Sequence, residues 1–192
     1  IIIFLYTFVF FNNKNPKLSL KINMNEFLNT NFKKKNILIT GGTGLIGRQI
    51  VDYLSHIECN LKIVSLDKIN LATTGQNATL EKIYGDLSDF NFCKEITNEI
   101  DLVFHIAGVK GSIDVTKKKP SSFFVPLMMM NTNILEAARI NKCEKLIYTS
   151  SIGAYHAAEI FKEEDHDESR PPMDFFPGWA KRMAELQVQS YK

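Results

Sequence analysis

Between Asn36 and Leu54 an apolar run, a glycine-rich turn and an amphipathic stretch follow one another directly, and few folds accommodate that order. Asn36-Ile37-Leu38-Ile39 has the β-branched character of a strand. Thr40-Gly41-Gly42-Thr43-Gly44-Leu45-Ile46-Gly47 reads as a turn opening into a helix, and the following segment sets Ile50, Val51 and Leu54 at helical spacing. In such a unit Gly41 permits the tight turn out of the strand. Gly44 lets backbone N–H groups approach a phosphate with no Cβ between, and Gly47 lets the helix lie close to the sheet. The helix N-terminus adds unpaired N–H groups and the positive end of its dipole. The expected ligand is an anionic dinucleotide.

A glycine-rich loop alone is more often a simple turn. Here the next apolar run, Leu61 to Leu66, ends in Asp67, 20 residues beyond Gly47, where a carboxylate reaches the adenosine ribose hydroxyls. Lys68 beside it bears on cofactor choice: the carboxylate favours the free 2′-hydroxyl of NAD, whereas a cation accommodates the 2′-phosphate of NADP. Arg48 is a second candidate phosphate partner. NAD is the favoured cofactor, with NADP the alternative.

The remaining chain repeats the alternation. After a polar loop (Ile69 to Thr79), Leu80 to Tyr84 reads as a strand ending at Gly85-Asp86-Leu87. Asp86 is placed either to accept from an adenine amino group or to cap a helix over Ser88 to Asn98, a role open equally to Ser88 and Asp89. A fourth strand, Asp101 to Ala107, runs into Gly108, where a small residue lets the backbone lie against the cofactor; His105 reads as a packed strand residue rather than a base. Lys117-Lys118-Lys119-Pro120 reads as a charged turn, and Phe123 to Arg139 as a long helix whose Met128, Met129 and Met130 serve a core or a helix contact with a second copy. The fifth strand, Lys145 to Thr149, opens into Ser150-Ser151. Five strands alternating with helices indicate an α/β fold, a Rossmann-type doubly wound parallel sheet with ligands at its carboxyl edge.

The chain of 192 residues carries a net charge of +2 without a basic, aromatic-interleaved patch, which argues against a nucleic-acid partner. Cys59, Cys93 and Cys143 lack metal-ligand spacing and an even count, so packing in a reducing cytoplasm is their expected role. Residues 1–35 form an N-terminal extension, of which 1–23 are expected to lie upstream of a start at Met24; the competing reading is an incomplete membrane anchor. The eleven-residue run Ile1 to Phe11 is too short to span a bilayer, and no membrane association is expected. Residues 36–192 form the NAD(P)-binding domain, which stops inside a helical pattern and is expected to be C-terminally truncated.

Taken in order, Thr40 to Gly47, Asp67, Gly85-Asp86-Leu87, Val103 to Ala107, Tyr148-Thr149-Ser150-Ser151 and Ala180-Lys181-Arg182-Met183 resemble the extended short-chain dehydrogenase/reductase family. The resemblance is to its NAD-dependent epimerase/dehydratase branch, which works on nucleotide sugars, and covers about residues 36 to 192. It implies cofactor contacts from Gly41, Thr43, Gly44, Leu45, Ile46, Gly47, Asp67, Lys68, Asp86, Leu87, Ala107, Gly108 and Thr149, and a substrate domain missing from this chain. It places the substrate-polarising hydroxyl on Ser151 and the ribose-binding cation on Lys181. In that family the lysine also lowers the pKa of a tyrosine four residues earlier, which serves as the base. Position 177 holds proline, and none of Phe175, Phe176, Pro177, Gly178 or Trp179 exchanges a proton near neutrality.

Three explanations follow from that departure. Another group among Tyr155, His156, Glu163, Glu164 and Asp165 substitutes, with Tyr155 first in rank; or the chemistry needs no strong base there; or the protein binds a dinucleotide without turnover. Ser150-Ser151-Ile152-Gly153 lacks the Thr-Asp-Glu run of sugar 4,6-dehydratases, favouring epimerase or reductase chemistry on a nucleotide sugar, and the Ala-Lys-Arg-Met run is similar to that of GDP-fucose synthases. The competing function is a non-catalytic dinucleotide-binding sensor or scaffold.

Overall fold

The computed structural model describes residues 8–10, 24–66, 71–109, 111–162, 167 and 169–191. In chain order the elements are β1 (Phe8–Phe10), α1 (Met24–Phe32), β2 (Asn36–Thr40), α2 (Leu45–Ser55), β3 (Asn60–Ser65), β4 (Thr79–Tyr84) and α3 (Phe90–Ile96). There follow β5 (Leu102–His105), α4 (Ile113–Lys118), α5 (Ser121–Ile140), β6 (Lys145–Tyr148), a 3-10 turn (Ile152–Ala154) and α6 (Phe175–Ser190).

The strands form one sheet in the order β1-β6-β5-β2-β3-β4. The five strands expected from the alternating pattern are mutually parallel. A sixth, β1, comes from the N-terminal extension and pairs antiparallel along the outer edge of β6, where a short aromatic and β-branched run meets an open row of backbone donors and acceptors. Strand order reverses between β2 and β5, and their ends coincide there: Thr40 is level with Val64 on one side and His105 on the other, and His105 with Tyr148. That switch point is where a doubly wound sheet opens a crevice for ligands.

Period-two alternation divides the strands between two cores. Ile37, Ile39, Leu61, Ile63, Leu102 and Phe104 face α2 through Val51 and Leu54. Helix α1 joins this side, its Phe32 ring 5.9 Å from that of Phe104. Leu38, Val64, Val103 and Leu146 face the opposite layer of α3, α5 and α6. Ile37, Leu38 and Ile39 are all fully buried, and each such side chain contributes about 1.5–3 kcal/mol to stability.

Local chemistry sets several boundaries differently from the pattern. The helix expected from Ser88 starts at Phe90 because Asp89 is its cap, Oδ1 accepting from the N–H of Asn91 (2.8 Å) and Phe92 (3.3 Å). The segment expected as a charged turn contributes Lys117 and Lys118 to the last turn of α4, which Ser112 caps, and only Lys119-Pro120 make the corner into α5. Within the methionine row Met130 is buried in the core, Met128 packs partly against it and Met129 is exposed, so α5 uses one side of the row to pack within its own chain. Cys59, Cys93 and Cys143 are buried free thiols, pushed up to about 11, 12 and 12 by burial. They are packing residues, as their spacing suggested. Among the described residues no helix is long and apolar enough to cross a membrane.

Candidate active site

A cavity of about 1190 Å³ opens along the carboxyl edge of the sheet. Its floor is the glycine turn. Gly41 has φ +70°, in the left-handed region, and a Cβ there would lie 2.8 Å from Ala107 N and Cα, so both conformation and space require glycine. At Gly47 a Cβ would come within 2.2 Å of Gly41 O. This contact brings the start of α2 against the turn. Gly44 is the N-cap of α2 and offers no side-chain cap, leaving the first-turn N–H groups of Leu45, Ile46 and Gly47 without a side-chain partner where these residues line the cavity. Arg48 is turned back onto the loop, its Nε donating to Thr43 O at 2.7 Å.

The other positions expected to contact a cofactor fall along the same wall: Asp86 and Leu87 at the β4 end, Ala107 and Gly108 after β5, and Thr149 after β6. Asp86 accepts from the N–H (2.8 Å) and hydroxyl (2.5 Å) of Ser88, which hold its carboxyl below the usual range and keep it ionised. Asp67 and Lys68 lie outside the described residues.

Beneath the cavity runs a buried polar chain. Thr40 Oγ1 and His105 Nδ1 are 2.7 Å apart, His105 Nε2 and Asn131 Oδ1 2.9 Å, and Asn131 Nδ2 donates to Tyr148 OH at 3.2 Å. Asn131 therefore presents its oxygen to His105, which makes Nε2 the protonated nitrogen and lets Nδ1 accept from the Thr40 hydroxyl. Burial lowers the His105 pKa to about 3, so the ring is neutral, a packed strand residue as expected. Lys181 sits over this layer, its Nζ 4.7 Å from the centre of the Tyr148 ring and donating to Thr149 O at 2.8 Å. Burial lowers its pKa to about 8, which leaves the ammonium largely charged at neutrality.

Ser151 caps the 3-10 turn, its Oγ accepting from Gly153 N at 3.1 Å, so its hydroxyl proton is available to an oxygen in the cavity. The neighbouring Ser150 Oγ is buried at the wall with no hydrogen-bond partner among the described residues. A shielded hydroxyl left so costs about 1–3 kcal/mol, a cost that a polar ligand removes. The Cβ-excluding cradle, the uncapped helix N-terminus and this orphaned hydroxyl fit an elongated, polar, anionic ligand.

Ser151, Pro177 and Lys181 line the same end of the cavity. Pro177 is the third residue of α6, where its missing N–H leaves no intrahelical hydrogen bond unmade. Tyr155, first in rank to replace the absent tyrosine, is 5% exposed, its ring meets Phe161 edge-on at 6.4 Å, and it does not line the cavity. His156 is likewise buried off the wall, its Nδ1 accepting from Asp167 N at 3.3 Å. Glu163, Glu164 and Asp165 lie outside the described residues. Sequence reasoning passed over Asp174, which does line the cavity. Its signal was the spacing to Lys181, seven residues or two helical turns.

The model of the NAD dependent epimerase/dehydratase family matches residues 37–192. The chain belongs to that family. Among its relatives, human dTDP-D-glucose 4,6-dehydratase is 30% identical over 166 residues, covering 82% of this chain and 47% of that enzyme. The structure of MoeE5 in complex with UDP-glucuronic acid and NAD superposes with TM-score 0.68 at 23% identity, over 81% of this chain and 49% of that one. The UDP-glucose 4-epimerase of Thermotoga maritima with UDP-glucose gives TM-score 0.64 at 24% identity, over 81% and 50%. The chain spans about half the length of the relatives it matches, and the structural likenesses establish the family's Rossmann-type fold.

Proposed function

We propose that the protein is an NAD(P)-dependent oxidoreductase acting on a nucleotide sugar, of the epimerase or reductase kind. The observation that carries the reading is one cavity in which the glycine cradle and the Ser151–Lys181 pair lie together. A bound nicotinamide dinucleotide supplies reversible hydride transfer. Its diphosphate would rest on the backbone of Gly41 to Gly47, its adenine end by Asp86 and Leu87, and its nicotinamide ribose by Lys181. Asp67 would take the adenosine ribose, which favours NAD over NADP, with Lys68 the group that decides.

Ser151 donates its hydroxyl to the reacting sugar oxygen, and the cation of Lys181 stabilises negative charge at that end of the cavity. Ile152-Gly153 provide no acid or base, which supports epimerisation or reduction over 4,6-dehydration. Three buried free thiols are consistent with a cytoplasmic setting.

The test uses the full-length protein with NAD or NADP and UDP-glucose, dTDP-glucose or GDP-mannose, reading reduced nicotinamide and altered sugar. Turnover should fall about 100-fold in Ser151→Ala, the loss expected for one hydrogen-bond donor to a developing oxyanion. Tight cofactor binding without hydride transfer to any of these sugars would instead establish the non-catalytic binder, a reading that Pro177 favours.

A homodimer is part of the proposal. Val125 and Met129 on α5, with Phe176, Met183 and Leu186 on α6, are exposed apolar residues on two helices packed against each other. Met129→Glu with Leu186→Glu should halve the mass found by sedimentation at micromolar protein. A wild-type monomer would refute the pairing.

A further inference from the structure

We propose that the carboxylate of Asp174 is the proton acceptor of this site, binding the sugar hydroxyl that reacts; the inference rests on the oxidoreductase reading above. Among the described residues only Asp86, Asp174 and Lys181 bring an ionisable side chain to the cavity wall. Asp86 follows β4, four strands from β6, which at about 4.8 Å per strand puts it some 19 Å from Ser151, and its carboxylate is taken by Ser88. Lys181 is the cation and already donates to Thr149 O. Among the described residues Asp174 is the one carboxylate that remains at the Ser151 end.

Its placement is that of a fixed backbone with a free side chain. Asp174 N donates to Gly153 O at 3.1 Å and Asp174 O accepts from Gly178 N at 2.6 Å, so the residue is tied to both the serine loop and α6. It occupies the N-cap position of α6, where an aspartate ordinarily accepts from the first-turn N–H groups, yet its carboxylate makes no such bond. Instead it borders the cavity beside Gly153. A Cβ on Gly153 would lie 3.0 Å from Asp174 Cβ and 3.5 Å from both Asp174 Oδ2 and Ser151 Oγ, so the two oxygens lie close to the same point beside Gly153. Asp174, Pro177, Gly178 and Lys181 lie along one side of α6 and all reach the cavity, so the carboxylate and the ammonium bracket the position that carries no proton-exchanging group.

Oxidation of a secondary sugar alcohol breaks its O–H and C–H bonds and forms a carbonyl. The proton passes to Asp174 and makes a carboxyl O–H, while the C–H electron pair leaves as hydride to the oxidant, a nicotinamide dinucleotide under the proposed function. Ser151 donates to the same oxygen throughout. Return of hydride reverses each change, and Asp174 gives the proton back.

The experiment uses the full-length protein with Asp174→Asn and Asp174→Ala, both of which should fold because the exposed carboxylate makes no hydrogen bond within the described residues. With NAD and a turned-over sugar from the panel, kcat should drop at least 100-fold in Asp174→Asn while KM stays within threefold. Retention of more than a third of kcat overturns the proposal. A second readout needs no turnover: calorimetric titration of cofactor-free protein with UDP-glucose, dTDP-glucose and GDP-mannose. There Asp174→Ala should weaken the tightest sugar about tenfold, the effect of losing one hydrogen bond to a charged group. An unchanged Kd removes the contact and overturns the proposal. A wild-type protein that transfers no hydride refutes the oxidoreductase reading, and the titration then decides alone whether Asp174 holds the sugar.

Discussion

A Gly47→Ala variant is expected to lose about 3 kcal/mol of stability and at least 100-fold in NAD affinity. The added methyl would sit 2.2 Å from Gly41 O, 2.6 Å from Gly42 Cα and 2.9 Å from Gly41 C, all backbone atoms of the turn. A flexible side chain would move aside at little cost; a tight turn cannot, so α2 must withdraw from the sheet or the turn must open. Overpacking of this kind costs about 1–3 kcal/mol and here falls at the upper end, which for a chain of this size lowers Tm by roughly 6–12 °C. The same displacement spoils the alignment of first-turn N–H groups on which the proposed diphosphate site depends, and a shift of about 1 Å can cost 100-fold. Gly108→Ala is the control for stability, because the nearest atom to its Cβ is Leu127 Cδ2 at 4.0 Å, an ordinary contact. Thermal unfolding and calorimetric NAD titration of the two variants decide the matter. A Gly47→Ala protein that melts and binds like the wild type would mean that the close contact between α2 and the turn is dispensable.

Acidification should destabilise the protein through His105 before most of its carboxylates are protonated. Burial lowers the folded-state pKa of this ring to about 3, against about 6.5 in the unfolded chain, with its bond to Asn131 acting in the opposite direction and the Lys181 charge adding to the depression. Between those values the unfolded state binds the proton and the folded state does not. Stability is therefore complete above pH 6.5 and declines as pH falls toward 3. By pH 5 the loss from this one ring is about 2 kcal/mol. Denaturant unfolding of wild type and His105→Gln, each at pH 8 and pH 5, separates it from other groups. Asp52, Asp86 and Glu136 have lowered pKa values, set first by hydrogen bonds from Thr74, Ser88 and Arg139 respectively, and also lose stability in acid, but they are common to both proteins. The wild type should lose about 2 kcal/mol more over that interval than the variant. Parallel losses would mean that His105 takes up its proton in the folded state as readily as in the unfolded one.

How far the fold could be read from the chain depended on the range of the interactions. Gly47 announces the cradle because the atoms that exclude a side chain there belong to Gly41 and Gly42, and the positive φ of Gly41 is likewise local, although Ala107, 66 residues away, closes the space around it. The alternation Ile37-Leu38-Ile39 assigns each side chain to a layer of the sheet in advance, since the period of a strand is local geometry. His105 was correctly read as packed, although the partners that satisfy it, Thr40 and Asn131, are 65 and 26 residues away. The helix cap went to Asp89 rather than to Asp86 or Ser88, three residues equally suited by type, and only the turn geometry chose among them.

What the sequence by itself determined is the family fold and its cradle: where glycine must stand, how five strands alternate with helices, and that position 177 holds a residue with no proton to exchange. The tertiary structure decided which groups meet. Tyr155 follows Ser151 by one short turn and yet packs inward against Phe161, while Asp174, 23 residues beyond Ser151, returns to its side through the backbone bond to Gly153. The reason is physical. Periodicity and turn chemistry record interactions between near neighbours, whereas Asp174 meets the serine loop through a backbone bond to Gly153, 21 residues away, and no local pattern encodes that contact.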